Sequence, residues 1–354
     1  MTASAPTPPP EPASPPAADV RREAAAAWAG EVLGVGGPVA LEPASADASF
    51  RRYFRLVAPG GGTLIVMDAP PAHEDCAPFV AVAAQLEAGG IRAPRVLARA
   101  DQGFLLLTDL GRDTLLDALT FASAGRTEAL YREAIDILIR MQGLAADDLP
   151  AYDAALLSRE LALFPDWYLG RHLDQAPDAQ ARAELEAVFA RLVANILGQP
   201  RVFVHRDYHA RNLMVDAEGL GVLDFQDAVH GPVTYDLVSL LRDAYVHAEE
   251  PVVIDRAIRF WEAARAGGIP VAADFGAFYR DLEWMGVQRH LKVMGIFARL
   301  AHRDDKPRYL ADLPRVRDYL VAACSRYGEL SPLLRWLDVD PAPPALSFHR
   351  SLAS

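Results

Sequence analysis

The run Val204-His205-Arg206-Asp207-Tyr208-His209-Ala210-Arg211-Asn212, followed by Val222-Leu223-Asp224-Phe225-Gln226-Asp227, holds side chains suited to phosphoryl transfer from a magnesium nucleotide. Asp207 is a carboxylate able to orient a hydroxyl and accept its proton. Asn212 and Asp224 are oxygen donors of the kind that small, hard Mg²⁺ prefers. Each reads blandly when taken alone: an aspartate as a turn former, an asparagine as an Asx-turn, His205 as a packed imidazole. Their joint spacing is the signal.

These groups need elements to bring them together. Residues 201–204 are short, apolar and β-branched and predict a buried strand, and residues 205–211 a polar loop leaving it. Residues 213–215 and 220–223 flank Asp216-Ala217-Glu218-Gly219, which predicts a hairpin. Asn212 then stands at the base of one hairpin strand and Asp224 at the end of the other, and both return toward Asp207.

The pattern H-R-D-Y-H-A-R-N with L-D-F-Q-D resembles the aminoglycoside phosphotransferase and choline kinase superfamily, whose signature is H-G-D-x-H-x-x-N with a later hydrophobic-D-[FW] segment. Gly231-Pro232-Val233-Thr234-Tyr235-Asp236-Leu237 is similar to its G-P-x-x-x-D-L element. The resemblance implies an α+β, bilobal, protein-kinase-like fold. A small lobe with a five-stranded antiparallel sheet would precede a larger, mainly helical lobe. It also implies ATP and Mg²⁺, with Asp207 as base, Asn212 and Asp224 as metal ligands, and His205 and Asp236 as loop support. His209 would lie near the γ-phosphate or hold the loop. The segments 47–56, 67–71 and 288–300 resemble bacterial anomeric sugar kinases, which phosphorylate C1 of N-acetylmuramate and N-acetylglucosamine in cell-wall sugar recycling. The same scaffold also serves aminoglycoside, choline and homoserine kinases, and a non-catalytic nucleotide-binding scaffold is a further alternative.

The chain has 354 residues and a net charge of −12, which argues against a general nucleic-acid binder. Two distant cysteines, Cys76 and Cys324, make neither a disulfide framework nor a zinc cluster, and fit a cytoplasmic enzyme. No apolar run predicts a membrane span, and no obligate protein partner is evident. The Ala/Pro-rich residues 1–19 predict a disordered tail. The expected organisation is a nucleotide lobe over 20–110 ending in a hinge, a catalytic and substrate lobe over 111–337, and an extension over 338–354. In the first lobe, helices are predicted over 20–32 and 76–88, and strands over 38–41, 50–57, 63–68, 96–99 and 104–108. Further helices are predicted over 127–142, 158–169, 178–197, 234–248, 253–266, 273–300 and 313–327.

Only two lysines occur, Lys292 and Lys306. The third strand of the small lobe, where this fold usually carries a phosphate-binding lysine, reads Thr63-Leu64-Ile65-Val66-Met67-Asp68. The expectation is that Ser49, Phe50, Arg51 and Arg52 take over, with Arg52 turned toward the nucleotide and the arginines clamping phosphate; the alternative is that they are solvated surface charges. Asp109 and Leu110 mark the hinge, whose backbone would grip adenine. For the sugar, Asp227, Gln288, Arg289 and Lys292 are candidates, since a lactyl carboxylate wants a cation; otherwise 288–292 is a solvated helix face.

Overall fold

The computed structural model describes residues 19–45 and 50–337. Ser49, residues 1–18 of the expected tail and the 338–354 extension lie outside the described residues. The chain divides into two compact units, residues 1–76 with 96–109, and residues 77–95 with 110–354.

The first unit opens with α1 (Val20–Val32), an alanine-rich helix capped by Asp19, whose side chain accepts from the Arg22 N–H. Five strands follow: β1 (Glu42–Ser45), β2 (Arg52–Val57), β3 (Thr63–Asp68), β4 (Val96–Ala100) and β5 (Phe104–Thr108). They form an antiparallel sheet in the order β1-β2-β3-β5-β4. Alternation along β2, β3 and β5 turns Phe54, Leu56, Val66, Phe104 and Leu106 to one face, where they pack with Ala25, Ala29 and Leu41. The first strand starts later than the predicted 38–41. Pro38 has no N–H to donate, and the preceding Gly34 and Gly36 adopt positive φ, so the chain turns there. Leu41 instead drops into the core.

The second unit holds α2 (Ala77–Ala88), which makes a ring contact from Phe79 to Phe225, centroids 4.8 Å apart. The short β6 (Asp113–Thr114) leads to α3 (Leu115–Phe121), α4 (Ala124–Gln142) and α5 (Ala154–Leu163). A π-helical stretch over Phe164–His172 continues α5, because Pro165 removes a donor from the α ladder. After α6 (Ala179–Gly198) come β7 (Arg201–Val204) and the hairpin β8 (Leu213–Asp216) and β9 (Gly219–Val222). The hairpin closes through the pair Asp216 and Gly219. β10 (Val229–Pro232), absent from the predicted elements, pairs antiparallel with β7. Four α-helices follow among the described residues, α7 (Tyr235–Leu241), α8 (Glu250–Ala266), α9 (Phe275–His302) and α10 (Leu313–Arg326), with short 3-10 turns over Pro307–Asp312 and Ser331–Leu337. The predicted helix over 234–248 is therefore much shorter. It breaks after Leu241 because Asp243 leaves helical geometry to accept the N–H groups of Ala210 and Tyr245.

Candidate active site

The loop between β7 and β8 carries Asp207, and its shape is imposed from three directions. Asp236, at the start of α7 and fully buried, accepts the backbone N–H of His205 at 2.6 Å and of Arg206 at 2.9 Å. Burial pushes its pKa up to about 7, against the pull of those two N–H groups. His205 accepts the Asp207 N–H at Nδ1 (3.2 Å), so Nε2 carries the proton and donates to the Leu223 carbonyl (2.9 Å). Burial lowers its pKa to about 4, which keeps the ring neutral and suited to that bridge. Asp243 holds the far side of the loop through the Ala210 N–H at 2.8 Å.

Asn212 links the other two predicted residues, the backbone of Asp207 and the side chain of Asp224. The Asn212 amide donates to the Asp207 carbonyl at 3.0 Å and to Asp224 Oδ2 at 3.3 Å. That fixes the amide's orientation and leaves Oδ1 as an acceptor beside a carboxylate, an oxygen-only donor set that fits Mg²⁺. Gln226 donates to Asp224 Oδ1 at 2.8 Å and to Asp227 at 3.2 Å. Asp227 is exposed. Arg206 and Asp224 both adopt positive φ, 78° and 62°, a strained conformation for side chains other than glycine.

Beneath the loop lies an ionic network. Glu160 on α5 accepts from Arg206 Nη2 at 2.6 Å, from Gln288 Nε2 at 3.0 Å and from the Tyr152 hydroxyl, and pairs with Lys292 Nζ at 3.1 Å. Lys292 also donates to the Tyr235 hydroxyl at 3.0 Å. Burial alone would raise the Glu160 pKa, but Lys292 and Arg206 bring it down to about 2. Burial likewise works against ionised Asp207, and positive charge, led by Lys292 and including Arg206, outweighs it, holding this carboxyl below its ordinary range. A base must be ionised to accept a proton, so the network prepares Asp207 for that role.

Helix α9 is not a solvated face at these positions: Gln288, Arg289 and Lys292 are all buried. Gln288 and Lys292 share Glu160 as partner, as their i and i+4 spacing allows. Arg289 points elsewhere. Its Nη1 is buried without a hydrogen-bond partner, as is Nδ1 of His209. The His209 ring meets Tyr245 edge-on at 5.5 Å, and burial lowers its pKa. Glu160, Tyr152 and Asp243 were missed in the sequence. The one available signal for Glu160 was an acid among apolar residues on the buried face of a helix.

In the first unit the three arginines part company. Arg52 requires correction: its guanidinium is not turned to a nucleotide but donates to Asp68 Oδ2 at 2.5 Å and to Asp19 at 2.5 Å. Asp68 lies directly across the ladder from Arg52, is fully buried, and is also paired with Arg21 at 2.5 Å. A buried carboxylate at the end of β3 demands cations, and Arg52 is nearest. Arg51 donates to Glu74 at 3.0 Å, and both side chains are only 13% exposed, which excludes a simple surface charge. Arg55 forms a two-point pair with Asp109 at 2.5 and 3.0 Å. Phe50 is exposed and stacks on His73 at 4.6 Å. Leu110, the first residue of the second unit's long segment, is buried.

Comparison with known proteins bears on the family and the fold. The profile of the phosphotransferase enzyme family matches residues 40–275. The N-acetylmuramate/N-acetylglucosamine kinase of Pseudomonas aeruginosa is 53% identical over 298 residues, covering 84% of this chain and 87% of that protein. Proteins of the same name from Neisseria meningitidis and Caulobacter vibrioides are 46% and 36% identical, covering 82% and 85% of this chain and 87% and 92% of theirs. Among solved structures, a choline/ethanolamine kinase family protein from Mesorhizobium loti superposes with a TM-score of 0.56 at 17% identity, covering 89% of this chain and 97% of that one. The gentamicin complex of APH(2")-IIa gives 0.56 at 14%, with 82% and 95% covered. Those structural likenesses establish the aminoglycoside and choline kinase fold. The family profile and the extent of identity show that the chain belongs to the phosphotransferase enzyme family.

Proposed function

We propose that the protein transfers the γ-phosphoryl group of Mg–ATP to the anomeric hydroxyl of N-acetylmuramate and N-acetylglucosamine. The observation that carries the chemistry is Asn212, whose amide ties the backbone of Asp207 on the buttressed loop to the Asp224 carboxylate beyond β9. The acceptor follows from relatives that are up to 53% identical to this chain over the matched residues. In this reading Asp207 orients the sugar hydroxyl and accepts its proton as the new P–O bond forms, and an anomeric hydroxyl eases that demand by being more acidic than an ordinary alcohol. Asn212 Oδ1 and Asp224 would hold Mg²⁺, which when bound neutralises charge on the phosphates. In the first unit Arg51, held by Glu74, and the backbone at Asp109 are the groups this reading assigns to ATP, and Leu110 is assigned with them. The free cysteines suit a reducing cytoplasm, where recycled cell-wall sugars would be met.

The test is to incubate the protein with Mg–ATP and a panel of amino sugars. ADP should form with N-acetylmuramate and N-acetylglucosamine, together with an acid-labile sugar phosphate, the mark of C1. A stable product would reject the anomeric assignment. Asp207→Asn should lower kcat by about 10³-fold with nucleotide binding retained. A wild-type rate in that variant would reject Asp207 as the base.

A further inference from the structure

Three cationic side chains, Arg206, Arg289 and Lys292, stand on the Asp207 loop and on α9, and two of them are already engaged. Arg206 and Lys292 share Glu160. Arg289 is different. It is 4% exposed, and its Nη1 has no partner. A buried guanidinium without an anion costs several kcal/mol, so its retention calls for a ligand. The nearby acids do not supply one. Asp236, whose charge Arg289 feels, is engaged by two backbone N–H groups, and Asp243 by two more.

The surroundings of Arg289 describe what that ligand looks like. Its charge reaches His209, two residues after the base, and Tyr245. His209 contributes a second buried, unpartnered nitrogen, Nδ1. The Tyr245 ring lies edge-on to His209 and carries the exposed Arg211 guanidinium 3.6 Å above it. The spot thus has two cations, an imidazole with hydrogen-bonding capacity to spare and an aromatic face, beside the hydroxyl acceptor's base. A guanidinium fork matches a carboxylate in two-point geometry.

We propose that Arg289 is a specificity-determining residue that binds the carboxylate of an acidic sugar, the lactyl group of N-acetylmuramate, and so favours it over the neutral N-acetylglucosamine. The inference rests on the sugar-kinase reading above and goes beyond it by dividing the α9 cations: Arg289 faces substrate, while Lys292 positions the loop through Glu160.

The experiment compares wild type with Arg289→Met, using N-acetylmuramate, its lactyl methyl ester and N-acetylglucosamine, by steady-state kinetics and by titration calorimetry on the full chain. The variant should lose about 30- to 100-fold more in kcat/KM on N-acetylmuramate than on N-acetylglucosamine, the range of a charge-assisted hydrogen bond. Wild type should bind the acid more tightly than the ester, and the variant should not distinguish them. Arg289→Lys should recover part of the preference. Equal losses on both sugars, or no loss on either, would overturn the proposal. Turnover of neither sugar by wild type, with acid-over-ester binding intact and dependent on Arg289, would reject the kinase reading and keep the carboxylate site.

Discussion

Arg206 shows how much of the site turns on one residue's backbone. The family signature has glycine at this position, where φ is 78°. An L-residue there gives up about 1 kcal/mol or more relative to glycine. The arginine compensates through its 2.6 Å pair with Glu160. Two opposing effects make a sharp prediction. Arg206→Ala loses the pair and keeps the strain, and should destabilise by about 3 kcal/mol, whereas Arg206→Gly should cost about 1 kcal/mol less. Denaturant unfolding of both variants measures the gap, and equal midpoints would show that no strain is held there. The same residue marks the limit of the sequence reading. Asp207, Asn212 and Asp224 were legible because their chemistry requires fixed types at fixed spacing. Glu160 was not, since it joins Arg206, Gln288 and Lys292 only through tertiary packing. Arg52 was misread for a related reason: strand alternation gave its face correctly, but not that a buried Asp68 across the ladder would capture it.

Among elements, α9 does most to hold the network in place, and it does so at close quarters. A Cβ added at Gly295 would lie 2.5 Å from the backbone and Cβ of Leu163, the last residue of α5. That approach fixes the distance between Glu160 on α5 and Gln288 and Lys292 on α9. Gly295→Ala must push the two helices apart and should lower stability by about 1–3 kcal/mol. It should also reduce kcat, since the Glu160 contacts behind Asp207 lengthen. Thermal unfolding and steady-state kinetics check both, and an unperturbed variant would show that the helices are not locked at this point. Helix content of this kind was readable from periodicity, and α1, α2, α6 and α9 lie within two residues or so of where the pattern puts them. The misses share a cause. The π-helical turn after α5 depends on Pro165 and on what packs behind it, and the early end of α7 depends on Asp243 serving a loop distant in sequence. Local pattern carries neither.

For the molecule as a whole, buried imidazoles make stability depend on pH. His205 and His290 are both enclosed, and burial lowers their pKa values to about 4 and about 3. Each lies below the unfolded value near 6.5, so the unfolded chain binds these protons first and stability falls as pH drops from 6.5 toward 4. Asp236 works in the other direction. Its folded pKa of about 7 exceeds the unfolded value, so the folded chain takes up that proton first and gains stability over much of the same window. His209 is buried too, with its pKa lowered, and adds to the loss, so the histidines outweigh the one aspartate and stability declines between pH 6.5 and 4. Chemical unfolding at half-unit pH steps should trace that decline. His290→Asn removes one of these titrations, although its contact with the Arg242 carbonyl is also altered, and should make the decline shallower. A wild-type curve flat across this range would mean that neither ring is held neutral against protonation. Because His205 is the bridge from the Asp207 loop to the strand end at Leu223, the folded site should keep its shape until the ring itself takes up a proton near pH 4, well below the pH at which stability begins to fall.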